Sequence, residues 1–357
     1  MVYAERYVGF WLSFLLPTIM FMFCPVVLLV FHKKYNLREP TDSVFGKFLL
    51  LTKHACKDGG YKHIGKETFW TRVKPSVTAN KPKWMTFDDA WVDEISRGVK
   101  ACSVFLFYPL WWLAYNQIDN NLVSQAATMS LHGVPNDLLN NMNPLAIIIM
   151  IPIVDNVVYP LLRRYKIRFT PLRRMCASFF VACSAMIWAA VVQYYIYETN
   201  PCGRYVATCE TPAGDRIVSS LNVWIQTGAY VLVGLSEIFG SITGLEYAYT
   251  KAPANMRSLV FGLYNFTSAL SAAIGQAFVA LAADPLLIWN YGAVAIIAFV
   301  TGIAFYLVFT RPWDKFEEEM NMLKESEYKG HTLGGHSEKK MEDGAVEQTP
   351  PVREVRE

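Results

Sequence analysis

Residues 143–164 read NPLAIIIMIPIVDNVVYPLLRR. An apolar run of about 20 residues is what a helix needs to cross the hydrocarbon core of a bilayer, where lipid offers backbone N–H and C=O groups no partners. Pro144, Pro152 and Pro160 would break a helix in a soluble core. Membrane helices tolerate them, because neighbouring helices re-satisfy the freed backbone groups. The run closes on Arg163 and Arg164, a pair of charges suited to a membrane boundary.

Six further blocks of similar length lie on either side, at 8–31, 101–123, 176–197, 222–249, 260–283 and 289–310. The chain of 357 residues is 53% hydrophobic and only 18% charged, against roughly 25% charged in a typical soluble domain. The fold class expected is therefore an all-α membrane protein with seven transmembrane helices. Its parts are a first transmembrane helix over 1–32, a cytoplasmic segment with short amphipathic helices over 33–100, a six-helix transmembrane bundle over 101–310 and a mostly disordered cytoplasmic tail over 311–357. A net charge of +3 without a basic stripe gives no footing for nucleic-acid binding.

The charges orient the chain. The first block is longer than a signal peptide's apolar region and no small-residue cleavage site follows it, so it is expected to stay in the membrane. Threading from it, all of the 33 Lys and Arg except Arg6, Arg204 and Arg216 fall on one side. Cytoplasmic loops are enriched in these residues, which puts the N-terminus outside and the C-terminus inside. Cys202 and Cys209 share an outer loop, on the oxidising side, and are expected to form a disulfide. The other cysteines show no metal-ligand spacing, and no metal site is expected.

Within 33–100, residues 45–54 read as an amphipathic helix, and Thr86 with Asp89 resembles a capping box opening an interfacial helix. Residues 60–66 have the spacing of a phosphate-binding loop, but Glu67 stands where the magnesium-holding hydroxyl belongs, and the nucleotide reading fails. Asn265, Phe266 and Thr267 form a glycosylation sequon inside a span, out of the transferase's reach.

Ionisable groups inside a span cost at least ~2.5 kcal/mol each on insertion scales, so each is a site candidate. Glu237 sits near the middle of 222–249. Ser241 is one turn further on the same face, and Gly234, Gly240 and Gly244 loosen or closely pack the same helix. The carboxylate either faces a cavity or is a structural group, protonated or paired with a neighbour. Trp112, three residues after Pro109, serves either packing or a ligand. Asn143 before Pro144 has the position of an N-cap. Asp155 is a gate or a structural ion pair, and Glu246 with Lys251 fits a structural charge pair near the cytoplasmic end. The last six spans divide into two groups of three, each led by an interrupted helix that holds Trp112 or Glu237 at mid-depth, as in transporters built from repeats. No nucleophile with a base partner and no cofactor-ligand set is found in the sequence, so the chain does not read as an enzyme.

Three stretches carry a family resemblance: FYPLWWLAYNQIDNNLVSQ at 107–125, NPLAIIIMIPIVDNVVYPLLRR at 143–164 and SEIFGSITGLEYAYTKAPANM at 236–256. They resemble the fungal branch of the proton-coupled oligopeptide transporters, members of the major facilitator superfamily. The resemblance runs from about Tyr7 to Trp313. It implies that the seven spans correspond to helix six plus the C-terminal six-helix bundle of a twelve-helix symporter, with helices one to five missing. It also implies that Glu237 binds a peptide's amino terminus and that Ser241, Trp112 and Asn143 belong to the substrate site. Tyr264 stands where some members have a pocket Trp. Asn116 replaces an acid that many members place before the Gln of the seventh helix.

The function implied is proton-coupled uptake of di- and tripeptides. No cofactor is implied, and protons are the coupling ion. The missing N-terminal half, in cis or in trans, would supply the ExxERF-type motif and the basic residues of helices one and four. Membrane lipid is the other partner, and the plasma membrane the implied location. The alternative is a non-transporting half-transporter that acts by interaction or regulation.

Overall fold

The computed structural model describes residues 2–35, 44–57, 63, 68–78, 82–167, 169–212, 214, 216–252 and 256–310. The loop spacing at 60–66, apart from His63, and the tail after Thr310 lie outside the described residues. The main described elements are helical. They are α1 (Phe10–Val30), α2 (Val44–Cys56), α3 (Asp89–Cys102), α4 (Tyr108–Tyr115), α5 (Met142–Ile153), α6 (Pro171–Thr199), α7 (Thr227–Glu237), α8 (Thr243–Lys251), α9 (Arg257–Gly275) and α10 (Leu287–Phe305).

Among the described residues, six helical stretches are long and apolar enough to cross a membrane: Phe10–Val30, Leu138–Arg164, Pro171–Thr199, Val223–Lys251, Arg257–Leu281 and Leu287–Phe309. The remaining expected span, 101–123, is not one continuous α-helix. It passes from a 3₁₀ turn at Ser103–Phe107 through α4 to a π turn at Ile118–Leu122. Pro109 at the start of α4 lacks the N–H that would continue the ladder backwards, which accounts for the break on that side. The helix leading into this stretch starts at Asp89, and its cap is Asp88, whose Oδ1 accepts from the Trp91 N–H at 3.0 Å. The cap thus lies two residues after Thr86.

Burial separates inner from outer helices. The most apolar window of Val223–Lys251 is 61% buried and that of Pro171–Thr199 is 56% buried, whereas Leu138–Arg164 buries 11% and Phe10–Val30 none. The core is accordingly centred on α6, which packs along α10 and α7, while α5 packs on α7 and α9 on α4. At one end, buried amides form a chain in which Gln226 Nε2 donates to Gln125 Oε1 and Gln125 Nε2 donates to Gln193 Oε1, both at 2.8 Å. Paired in this way, polar side chains join helices without the desolvation penalty of an unmet donor.

Close approach at α7–α8 depends on glycine. A Cβ on Gly240 would lie 2.7 Å from Cε2 of Trp111, whose ring is held by its Nε1 donating to Ser236 Oγ at 2.9 Å. A Cβ on Gly234 would lie 3.1 Å from Asn143 Oδ1. Gly240→Ala is therefore expected to destabilise the bundle by about 1–3 kcal/mol through overpacking. A lowered midpoint in thermal unfolding of the detergent-solubilised protein checks it, and an unchanged midpoint would refute the close-packing account.

Candidate functional site

Among the described residues, π turns interrupt the helices at Ile118–Leu122, Val154–Val158, Ile238–Ile242 and Tyr306–Thr310. A π turn inserts one residue into an α-helix and weakens its hydrogen-bond ladder, and such turns are frequent at functional sites. The turn at Ile238–Ile242 follows Glu237 directly and contains Ser241. Aromatic hydroxyls meet its carbonyls: Tyr108 Oη donates to Gly240 O at 3.0 Å, and Tyr264 Oη donates to Ser241 O at 3.3 Å. Tyr264 Oη also lies 3.1 Å from Ser241 Oγ, so α9 is tied to this turn through both groups of one residue.

Glu237 is half-buried, and the buried Asn143 donates from Nδ2 to its Oε2 at 3.0 Å. The position expected of a helix cap thus supplies a carboxylate ligand: α5 begins one residue earlier, and its N-terminus has no side-chain cap at Asn141. The Tyr115 side chain lies near the same carboxylate. Four helices therefore converge on one acid, with Tyr115 from α4, Asn143 from α5, Glu237 from α7 and Tyr264 beside the following turn from α9.

The tandem tryptophans divide their roles. Trp111 is 1% exposed and bonded to Ser236, whose hydroxyl donates in turn to the Ser178 carbonyl at 2.9 Å. Trp112 is only partly buried; its Nε1 donates to Thr267 Oγ1 at 3.1 Å. Its ring meets Tyr115 edge-on at a centroid distance of 5.2 Å and Tyr264 at 6.2 Å. Trp112 thus lines the aromatic side of the cluster around Glu237. Tyr115 is the residue that sequence reasoning missed. The available signal was its place three residues after Trp112, a spacing that puts both on one helix face.

The remaining candidates lie elsewhere. Asp155 is exposed in the π turn Val154–Val158, near Tyr159, and makes no hydrogen bond or ion pair among the described residues. The structural ion-pair reading of Asp155 is therefore not met within these residues. Glu246 pairs with Arg174 of α6, Oε2 to NH1 at 4.0 Å, and Lys251 ends α8 five residues later. The observed partner of Glu246 thus comes from a neighbouring helix. Cys202 and Cys209 are joined in a disulfide, and Asp284 anchors their loop by accepting from the Ala207 N–H at 2.8 Å and from the Tyr197 hydroxyl at 2.6 Å.

A cavity of about 910 Å³ lies between the α4 stretch and α9, lined among others by Asn116, Gln117, Asp119, Ser271, Gln276 and Asn290. Its amides and hydroxyls suit a hydrated space. Glu237 is not among its lining residues, so the acid and this polar cavity are distinct features of the same helical group.

The sequence profile of the POT family, PTR2, matches residues 1–301. The chain belongs to the POT family. The probable peptide transporter ptr2 of Schizosaccharomyces pombe is 38% identical over 327 residues, covering 88% of this chain and 49% of that protein. The peptide transporter PTR2 of Saccharomyces cerevisiae is 36% identical over 357 residues, covering 99% of this chain and 55% of that one. The chain spans about half the length of the curated relatives it matches. Among solved structures, the POT family transporter PepTSo shares the fold with a TM-score of 0.62 at 18% identity, covering 90% of this chain and 68% of that chain. This POT-family chain is thus a helical, integral membrane protein whose named relatives are transporters.

Proposed function

We propose that this chain works as the C-terminal portion of a proton-coupled symporter for di- and tripeptides. In this reading it has seven spans, the stretch 101–123 being one of them, which correspond to helix six and the C-terminal six-helix bundle of a major facilitator transporter. The N-terminus lies outside, and the segment 33–100 and the tail 311–357 lie in the cytoplasm, with the plasma membrane as the location. The observation that carries the reading is the half-buried Glu237 carboxylate, held by Asn143 at 3.0 Å where four helices meet. That the relatives above are named peptide transporters supplies the substrate class.

The chemistry follows from the carboxylate. A unit charge pair at 4 Å is worth about 1 kcal/mol in water and about 4 kcal/mol at an effective dielectric of ~20, so a partly desolvated acid attracts a peptide ammonium more strongly than a surface one. Asn143 and Tyr115 orient the acid. Trp112, Tyr264 and Ser241 shape the wall beside it, and Asp155 stands exposed as a contact for gating. Protonation of Glu237 removes its charge and weakens the grip, which links peptide release to proton movement. A second helical half, in cis or in trans, supplies the opposite wall and the cations for the peptide's carboxylate. No cofactor takes part.

The test is dipeptide uptake by cells expressing these residues joined behind the N-terminal half of the Schizosaccharomyces pombe relative. Uptake stimulated by an acidic exterior is expected from the fusion, and background uptake from these residues alone. A well-inserted fusion that imports nothing would overturn the proposal and favour the non-transporting half-transporter.

A further inference from the structure

The turn between the spans Leu138–Arg164 and Pro171–Thr199 encloses a cavity of about 340 Å³ lined by Tyr159, Leu162, Arg163, Lys166, Ile167, Phe169 and Arg174. Three cations thus share one small space with two aromatic rings. Arg174 is fixed there: its guanidinium lies 4.4 Å from the Tyr159 ring centroid, and its Nε donates to the Phe169 carbonyl at 3.2 Å. The carboxylates nearby are Glu246, 4.0 Å from this guanidinium and more than half exposed, and the exposed Asp155 near Tyr159. Arg163 and Lys166 are exposed and make no side-chain hydrogen bond or ion pair among the described residues.

Two local features are unfavourable for the chain: the first is steric, and the second is electrostatic and would be relieved by an anion. Lys166 has φ 56°, and the Lys166 N–H donates to Arg163 O while the Ile167 N–H donates to Leu162 O, both at 2.9 Å. This is a left-handed helix C-cap, where glycine is the favoured residue and lysine is strained. In addition, Arg173 and Arg174 occupy the first turn of the 29-residue α6, where the helix end already carries partial positive charge and cations are unfavourable. Both features place positive charge at one point where backbone preference and helix electrostatics argue against it.

We infer that this turn binds a phosphate-bearing anion, and that its source is the headgroup of an anionic phospholipid. The site lies where two candidate spans end, and the exposed Tyr165 and Ile167 beside it have the amphipathic and apolar character of a membrane interface. Lys and Arg predominate at this end, which the charge rule assigns to the cytoplasmic leaflet, where anionic lipids are concentrated. Arg163 and Lys166 contact the phosphate, Arg174 adds charge from the rear, and Leu162 and Ile167 adjoin the lipid's apolar part. The inference concerns residues other than those gathered around Glu237 and holds whether or not the chain takes part in peptide uptake.

The test is native mass spectrometry of the full chain in detergent with phosphatidylinositol, using phosphatidylcholine as the neutral control. An excess of phosphatidylinositol adducts is expected, falling by about fivefold for each cation removed in Arg163→Gln and Lys166→Gln. The pair Arg163→Lys and Lys166→Arg should keep the excess, as should Arg204→Gln with Arg216→Gln in the disulfide-bearing loop. Circular dichroism establishes that each variant is folded. An undiminished excess in the folded Arg163→Gln, Lys166→Gln double variant would overturn the site. Displacement of the lipid by an equal concentration of inorganic phosphate would overturn the lipid source in favour of a soluble anion.

Discussion

Glu237→Gln is expected to abolish dipeptide uptake by the fusion described above while leaving its amount in the membrane unchanged. Glutamine keeps the volume and can still accept from Asn143, so the contact at 3.0 Å and the convergence of the four helices need not be lost. What disappears is the negative charge. Removing one member of a partly buried charge pair costs 2–5 kcal/mol or more, so a fall in uptake of roughly 100-fold is expected, into the background. The measurement is initial uptake rate normalised to surface protein. A rate within a few-fold of the parent would remove Glu237 from the proposed mechanism, and loss of the protein from the membrane would mean that the acid has a structural role instead.

The second large effect separates two adjacent tryptophans. Trp111→Ala empties a space enclosed by the core and strips Ser236 of its donor, and a buried Trp→Ala change costs about 3–5 kcal/mol. Trp112→Ala removes a partly exposed ring and one hydrogen bond to Thr267, so its effect on stability should be clearly smaller. Its effect should appear in uptake, because the ring lies on the aromatic side of the Glu237 cluster. Thermal unfolding and uptake of the two variants should therefore rank them in opposite orders. Equal destabilisation would mean that the two side chains share a packing role.

These residues also mark what a reader of the sequence could see. Glu237 and Ser241 stand out because a polar side chain in an apolar run needs a reason, whereas Asn143 reads as a helix cap and enters the site only through the family resemblance; the same apolar runs delimit the long helices. Tyr115 does not stand out: in YPLWWLAY every aromatic is compatible with packing, and only the three-dimensional meeting of α4 with α7 brings its side chain near the carboxylate. The Glu246–Arg174 pair was hidden for a similar reason. Lys251 shares a helix with Glu246, whereas Arg174 reaches Glu246 only through the packing of α6 against α8. The broken helix at 101–123 is foreshadowed by Pro109 on one side, but nothing in IDNNL announces a π turn.

Deleting one residue from the π turn at Ile238–Ile242 would restore regular α-helical pitch, and such a deletion would be locally comfortable. Each α-helical residue advances the chain by about 100° of rotation, so the segments on either side would swivel relative to each other by about that angle. Glu237 could then keep its grip on Asn143, or Glu246 its approach to Arg174, but not both. The extra residue acts as a phase adjuster, letting one continuous rod address two neighbours that a uniform screw could not face together.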